Sequence, residues 1–274
     1  MPEKRTGVSA DLLKLTALVT MLIDHIGAGI LEYFLTGGFV RDASLSRLLT
    51  GLDAALRTIG RISFPLFCFL LAEGYAHTKS RGRYAARLFV FALLSELPFD
   101  LLFSGSWNPD SQNVFWTLLI GLLTLWGMDA SGRAARTRRR SGFWEELTGA
   151  AGMLAVLAVG MGSAQLLKTD YSWRGVLLIG ILRLLRRDRL LLVIYAPCAF
   201  LFSEFLELLV LGAGLSDSLE TVLSHMTVFL SFFLIRSYNG RRKRRGHPYF
   251  FYLFYPLHLL VLYVCRLLLF ALYG

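Results

Sequence analysis

Apolar residues along this chain gather into long runs separated by short polar or basic connections, with little strict alternation. Runs approaching the roughly 20 residues that cross a bilayer as a helix recur from end to end, leaving no room for a soluble domain of ordinary size. They predict helices at roughly 12–34, 58–76, 84–103, 114–128, 148–167, 172–185, 190–213, 221–236 and 249–272. The fold class is therefore all-α, a polytopic transmembrane bundle in one integral-membrane domain over residues 1–274. The first run, continuing past Met21 without a small-residue cleavage pattern, reads as a retained helix and not as a signal peptide.

The fourth and sixth runs are short, and charge decides whether they cross. Basic residues cluster after the second run (Lys79, Arg81, Arg83, Arg87), the fourth (Arg133, Arg136, Arg138, Arg139, Arg140), the sixth (Arg183, Arg186, Arg187, Arg189) and the eighth (Arg236, Arg241, Arg242, Lys243, Arg244, Arg245). The connections "SGSWNPDSQN", "KTDYS" and "GLSDSLE" are neutral or acidic. A basic connection at every second position predicts about nine spans with a cytoplasmic N-terminus. The first outer connection, around Arg41 and Arg47, fits this less well, although Asp42 and Asp53 accompany those arginines.

Composition agrees: 55% hydrophobic and only 18% charged, with a mean hydropathy of +0.55. The net charge of +10 is dispersed over the loops of one leaflet, which accounts for it without nucleic-acid binding and leaves the lipid bilayer as the expected partner. Cys68, Cys198 and Cys265 lie in apolar runs with no metal-ligand spacing and read as three buried thiols; no metal is expected.

Ionisable groups inside spans are rare and mark sites or pathways. In "MLIDHIGAGI", His25 lies about 20 Å from the cytoplasmic start of the first helix at 1.5 Å per residue, beside Asp24. Arg61 enters the second helix from outside, Glu96 reaches a similar level on the third with Asp100 one turn further, and His258 sits near the midplane of the last. Asp24, His25, Arg61, Glu96 and His258 can therefore converge at one level: an imidazole to move a proton, carboxylates to orient it and a guanidinium for an oxyanion. Adjacent residues on a helix point about 100° apart, so Asp24 cannot orient His25, and Glu96 is the candidate partner. Gly27 lets another helix or a ligand approach closely.

A second, inner level is suggested by "FLLAEGYAHTKSRGRY". Glu73 and His77 are one turn apart on one face, and the basic residues that follow, Arg81 and Arg83 among them, suit a phosphorylated ligand, although such runs more often only fix topology.

The segments "LKLTALVTMLIDHIG", "RTIGRISFPLFCFLLAEGYAHTKSRGRYAARLFVFALLSELPFDLL", "NVFWTLLIGLL", "DYSWRGVLLI" and "YNGRRKRRGHPYFFYLFYPLHLL" resemble, in the same order and nearly end to end, the TraX family of polytopic membrane proteins named for a conjugative pilin N-acetyltransferase. The resemblance implies transfer of an acetyl group from acetyl-CoA to an acceptor amine or hydroxyl on a peptide, pilin or glycan, in the bacterial cytoplasmic membrane. It implies that His25 is the base or acyl-relay residue and that Arg61, Glu73, His77, Glu96, Asp170 with Tyr171, and His258 are the remaining motif positions. The stretch "SGRAARTRRR" has no counterpart in it, and no acetyl-CoA motif of soluble acetyltransferases occurs. Two other classes use the same buried groups: a proton-coupled transporter or flippase, and a non-catalytic component of a secretion or conjugation apparatus.

Overall fold

The computed structural model describes residues 7–137, 143–241 and 249–273. Among them every regular element is a helix: α1 Ala10–Ile26, a π-helical turn Gly27–Leu31, α2 Glu32–Thr36, α3 Ala43–Gly60, α4 Ser63–His77, α5 Arg81–Phe103, α6 Val114–Thr137, α7 Phe143–Leu166, α8 Ser172–Leu184, α9 Arg189–Val210, α10 Leu215–Ser224, α11 Val228–Arg236 and α12 Phe250–Tyr273. Among the described residues seven helical stretches are long and apolar enough to cross a membrane. These are Ala10–Thr36, Ala43–His77, Val114–Ala134, Glu146–Leu166, Arg189–Val210, Leu215–Arg236 and Phe250–Leu272. The protein is thus an all-α polytopic membrane protein. Of the two remaining predicted spans, α5 is 23 residues long but carries Arg81, Arg83, Arg87, Glu96 and Asp100, and α8 has only 13 residues.

The helices form two compact units, each assembled from discontinuous segments. The first comprises residues up to Leu70, Leu94–Asn108 and Leu201 onward; the second comprises Leu71–Leu93 and Pro109–Phe200. In the first unit α1 packs against α3 and α12. Its inward positions Ala10, Leu13, Ala17 and Met21 are buried, whereas Leu12, Leu15 and Val19 lie on the surface, as a helix with lipid on one side requires. Thr227 Oγ1 and Ser231 Oγ donate to the carbonyls of Thr58 and Ile62, tying α11 to the α3–α4 break. In the second unit α6, α7 and α8 pack together over small residues. A Cβ on Gly127 would come within 2.7 Å of Val156, and one on Gly180 within 2.7 Å of Leu157, so these glycines set how closely the helices approach.

Several boundaries differ from the sequence expectation. The first outer connection is not a loop: the Asp42 carboxylate accepts a hydrogen bond from Leu45 N at 2.7 Å, and α3 starts there and runs to Gly60. Arg61 consequently sits at the break between α3 and α4 and not inside a helix beginning near 58. Helix α6 runs on through polar residues to Thr137, beyond the expected end near 128. The eighth run is two helices, α10 and α11, separated at His225–Thr227. Of the three cysteines only Cys68 is buried; Cys198 and Cys265 lie on the surface that lipid covers, where an apolar side chain needs no protein core. Arg138–Arg140 and Arg242–Arg245 of the basic clusters lie outside the described residues.

Candidate functional site

His25 occupies the last turn of α1, and the chain then widens into the π-helical turn. Two glycines allow that geometry: a Cβ on Gly27 would meet Asp53 Oδ1 at 2.8 Å, and one on Gly29 would meet Leu102 at 2.7 Å. Insertions of this kind re-aim neighbouring side chains and recur at functional positions. His25 Nδ1 lies 2.7 Å from Nε2 of His258 on α12, with the two ring planes 7° apart. Phe103 and Tyr255 pack edge-on against His25, and Phe254 stacks on His258.

The positions of the protons follow from acceptor chemistry. His258 Nδ1 is 2.8 Å from the carbonyl oxygen of Phe254, which only accepts, so Nδ1 carries the hydrogen. In a neutral His258 the other nitrogen, Nε2, is then an acceptor, and His25 Nδ1 must donate to it. That leaves His25 Nε2 as the unprotonated atom of the pair. Carbonyl, imidazole and imidazole form a directed chain that ends on a base.

Asp24 points elsewhere, as adjacency on a helix requires. Its Oδ2 accepts from Arg57 NH1 at 2.7 Å, and Arg57 Nε reaches Glu32 Oε1 at 3.1 Å. Gly60 lies under Asp24, and any Cβ there would overlap the carboxylate. Asp53, one turn before Arg57, is near enough for Glu32, Arg57 and Asp24 to act on its charge; the buried Oδ1 atoms of Asp24 and Asp53 have no hydrogen-bond partner. Arg61 is near enough to act on the charge of Asp24.

The first unit thus brings together His25 with His258, and Asp24 with Arg57, Glu32 and Asp53. Glu96 is buried in the same unit, yet the hydrogen bond His25 makes is to His258, so Glu96 is not the partner expected for it. Asp100 is buried and accepts from Asn108 N at 3.1 Å, holding the turn after α5. Glu73, His77, Arg81, Arg83, Asp170 and Tyr171 belong to the second unit. His77 lies 3.4 Å from Glu73 on one face of α4, and Arg83 is exposed. Asp170 and Tyr171 stand at the start of α8, where Asp170 N donates to the Gln112 carbonyl and the neighbouring Thr117 and Thr169 hydroxyls are 2.9 Å apart. Among the described residues no three His, Cys, Asp or Glu side chains are grouped to hold a metal.

A polar helix-borne site of this kind sits in a chain whose residues 9–266 match the family model described as TraX protein. The chain belongs to the TraX family. A protein of Dichelobacter nodosus described as "Probable fimbrial assembly protein FimC, serogroup H1" is 30% identical over 131 residues. That alignment covers 45% of this chain and 48% of the relative, so the chain spans about half the length of the curated relative it matches. No solved structure matches.

Sequence reasoning found both imidazoles of this TraX chain but missed Arg57, Glu32 and Asp53. A signal for them existed. Asp53, Arg57 and Arg61 recur every four residues, which is one face of a helix, although the low hydropathy of the segment resembles a connection.

Proposed function

We propose that this TraX-family protein is a membrane-embedded acyltransferase, moving an acetyl group from acetyl-CoA to an acceptor amine or hydroxyl. The observation that supports this reading most directly is the imidazole pair, whose hydrogen bonds leave His25 Nε2 as a base walled by aromatic rings. The acyl thioester brings an electrophilic carbonyl carbon. His25 Nε2 takes the N–H or O–H proton as the acceptor heteroatom bonds to that carbon, giving a tetrahedral oxyanion. An amine arriving as an ammonium must first shed one proton, since only its lone pair attacks. When the oxyanion collapses, the carbon–sulfur bond breaks and the thiolate leaves with the proton returned by His25. The products are an acetylated acceptor and a free thiol, and the imidazole returns to its starting state.

His258 is a positioning residue in this scheme. It holds the His25 ring and keeps an acceptor facing Nδ1–H while His25 is positively charged, so the transient imidazolium stays hydrogen-bonded. Arg61, at the junction of α3 and α4, is assigned to the oxyanion, and Asp24 with Arg57 supplies a fixed local field. The fimbrial-assembly description of the Dichelobacter relative supports a pilin-like subunit as acceptor. The bacterial cytoplasmic membrane, with the N-terminus inside, is the location that fits the charge pattern.

The test is transfer of labelled acetyl from acetyl-CoA in membranes holding wild type or His25→Ala at matched protein level. General-base loss predicts a fall on the order of 10²–10⁴-fold with unchanged abundance. A fall in abundance that fully accounts for the lost signal would make His25 a packing residue. Absence of turnover in the wild type, with a broad acceptor mixture supplied, would favour the transporter class.

A further inference from the structure

The second unit contains an ion-pair group that the proposed chemistry does not use. Asp129 on α6 accepts from Arg183 NH2 through Oδ1 at 2.7 Å. Through Oδ2 it accepts from Tyr75 Oη at 3.0 Å and from Arg81 NH2 at 3.4 Å. The Arg81 guanidinium also lies over the Tyr75 ring, 4.6 Å from its centroid. Three residues after Arg183, Arg186 Nε donates to Glu73 Oε1 at 3.0 Å, and the other oxygen of Glu73 faces His77. Residues from the end of α4, the start of α5, α6 and the end of α8 thus meet at one level.

Topology alone does not explain this arrangement. The sidedness rule needs cations in loops; it does not need a buried Glu73 and a half-buried Asp129 set among them. Nor is the group balanced as a structural ion pair. One carboxylate serves both Arg81 and Arg183, leaving a surplus positive charge, and among the described residues each guanidinium commits a single nitrogen to it. The side chains of Arg81, Arg183 and Arg186 are 30%, 35% and 38% exposed, so these donors are accessible, whereas Glu73 and Asp129 are 12% and 15% exposed. Ring stacking and the shared carboxylate hold the Arg81 and Arg183 heads side by side before any ligand arrives. Paired planar forks with excess positive charge match the several oxygens and the negative charge of a phosphate group.

We propose that Arg81, Arg183 and Arg186, held by Asp129, Tyr75 and Glu73, form a binding site for a phosphate group carried by a soluble phosphate ester or by a lipid headgroup. This inference does not rest on the acyl-transfer reading, and its test reads binding alone. The full-length protein is placed in nanodiscs of phosphatidylcholine and titrated with radiolabelled inorganic pyrophosphate at fixed ionic strength, with the unfolding midpoint followed in parallel. A second arm uses nanodiscs containing phosphatidylglycerol and no soluble phosphate. Wild type is compared with Arg183→Gln, and with Arg183→Lys, which keeps the charge but loses the fork.

Saturable pyrophosphate binding that Arg183→Gln weakens tenfold or more, with Arg183→Lys also weakened, supports the site and identifies its ligand as a soluble phosphate. A midpoint raised by phosphatidylglycerol in wild type but not in the variants supports the site and assigns it to lipid. If Arg183→Gln does not yield folded protein, Arg183→Lys carries the comparison. Wild type that responds in neither arm, or variants that respond as wild type does, overturns the proposal.

Discussion

At the scale of single residues the decisive fact is direction. Two neutral imidazoles in contact have two possible proton arrangements, and the Phe254 carbonyl selects one of them by accepting only from His258 Nδ1. The expected outcome is a ¹⁵N spectrum of histidine-labelled protein in which His25 is protonated at Nδ1 and bare at Nε2. The reverse tautomer on His25 would remove the proposed base. In the proposed mechanism, truncating His258 to Ala leaves the imidazolium of His25 without its acceptor. A hydrogen bond to a charged group is worth about 1.5–3 kcal/mol, so kcat should fall about 10- to 150-fold with KM little changed. His258→Gln, whose amide oxygen accepts from Nδ1–H, should recover part of the loss; a merely space-filling His258 would be replaced equally well by Leu.

At the scale of helices, close approach decides which polar groups meet. Gly60 and Gly51 both lie in α3, and substitution by Ala should act oppositely at the two. Nothing lies within 4 Å of a Cβ on Gly51, so Gly51→Ala gains about 0.5–1 kcal/mol of helix propensity. A Cβ on Gly60 overlaps Asp24 and must push it off Arg57, and overpacking of this kind costs about 1–3 kcal/mol, which outweighs the propensity gain. Thermal unfolding of the two purified variants in one detergent measures the contrast; a Gly60→Ala protein as stable as wild type would mean that Asp24 has room to move. The same elements explain what was legible beforehand. Span-length apolar runs and the isolated Asp24, His25, Glu96 and His258 stand out against hydrocarbon composition, so the all-α class and the imidazoles could be read directly. Hydropathy alone does not reveal helix α3, because Ser46, Arg47, Asp53 and Arg57 dilute it; only the four-residue spacing of Asp53, Arg57 and Arg61 marks the polar face that holds Asp24. The π-helical turn after His25 was equally hidden, since a glycine pair signals close approach but not a change in helical winding.

At the scale of the whole molecule the open quantity is how many times the chain crosses, and α8 is the element that decides it. Its 13 residues extend about 20 Å, short of a hydrocarbon core about 30 Å thick. Its contacts nevertheless carry it between two distinct levels of the second unit. Before α8 begins, Thr169 pairs with Thr117 near the start of α6; as α8 ends, Arg183 pairs with Asp129 far along α6. Thr117 and Asp129 are separated by about 18 Å of helix, so α8 runs alongside α6 in the same direction over that distance. Flanking polar residues and local thinning of the bilayer can supply the remainder. If α8 crosses, Lys79, Arg187 and Arg241 share the cytoplasmic side, and Asp110 and Asp217 share the other. The check replaces Cys198 and Cys265 by Ser and introduces single cysteines at these five positions in intact cells. An impermeant thiol reagent should label positions 110 and 217 at once, and positions 79, 187 and 241 only after permeabilisation. Should α8 turn back, positions 187 and 241 would label from outside and position 217 would not, and the nine-span arrangement would give way to one in which the basic connection before α12 faces outward.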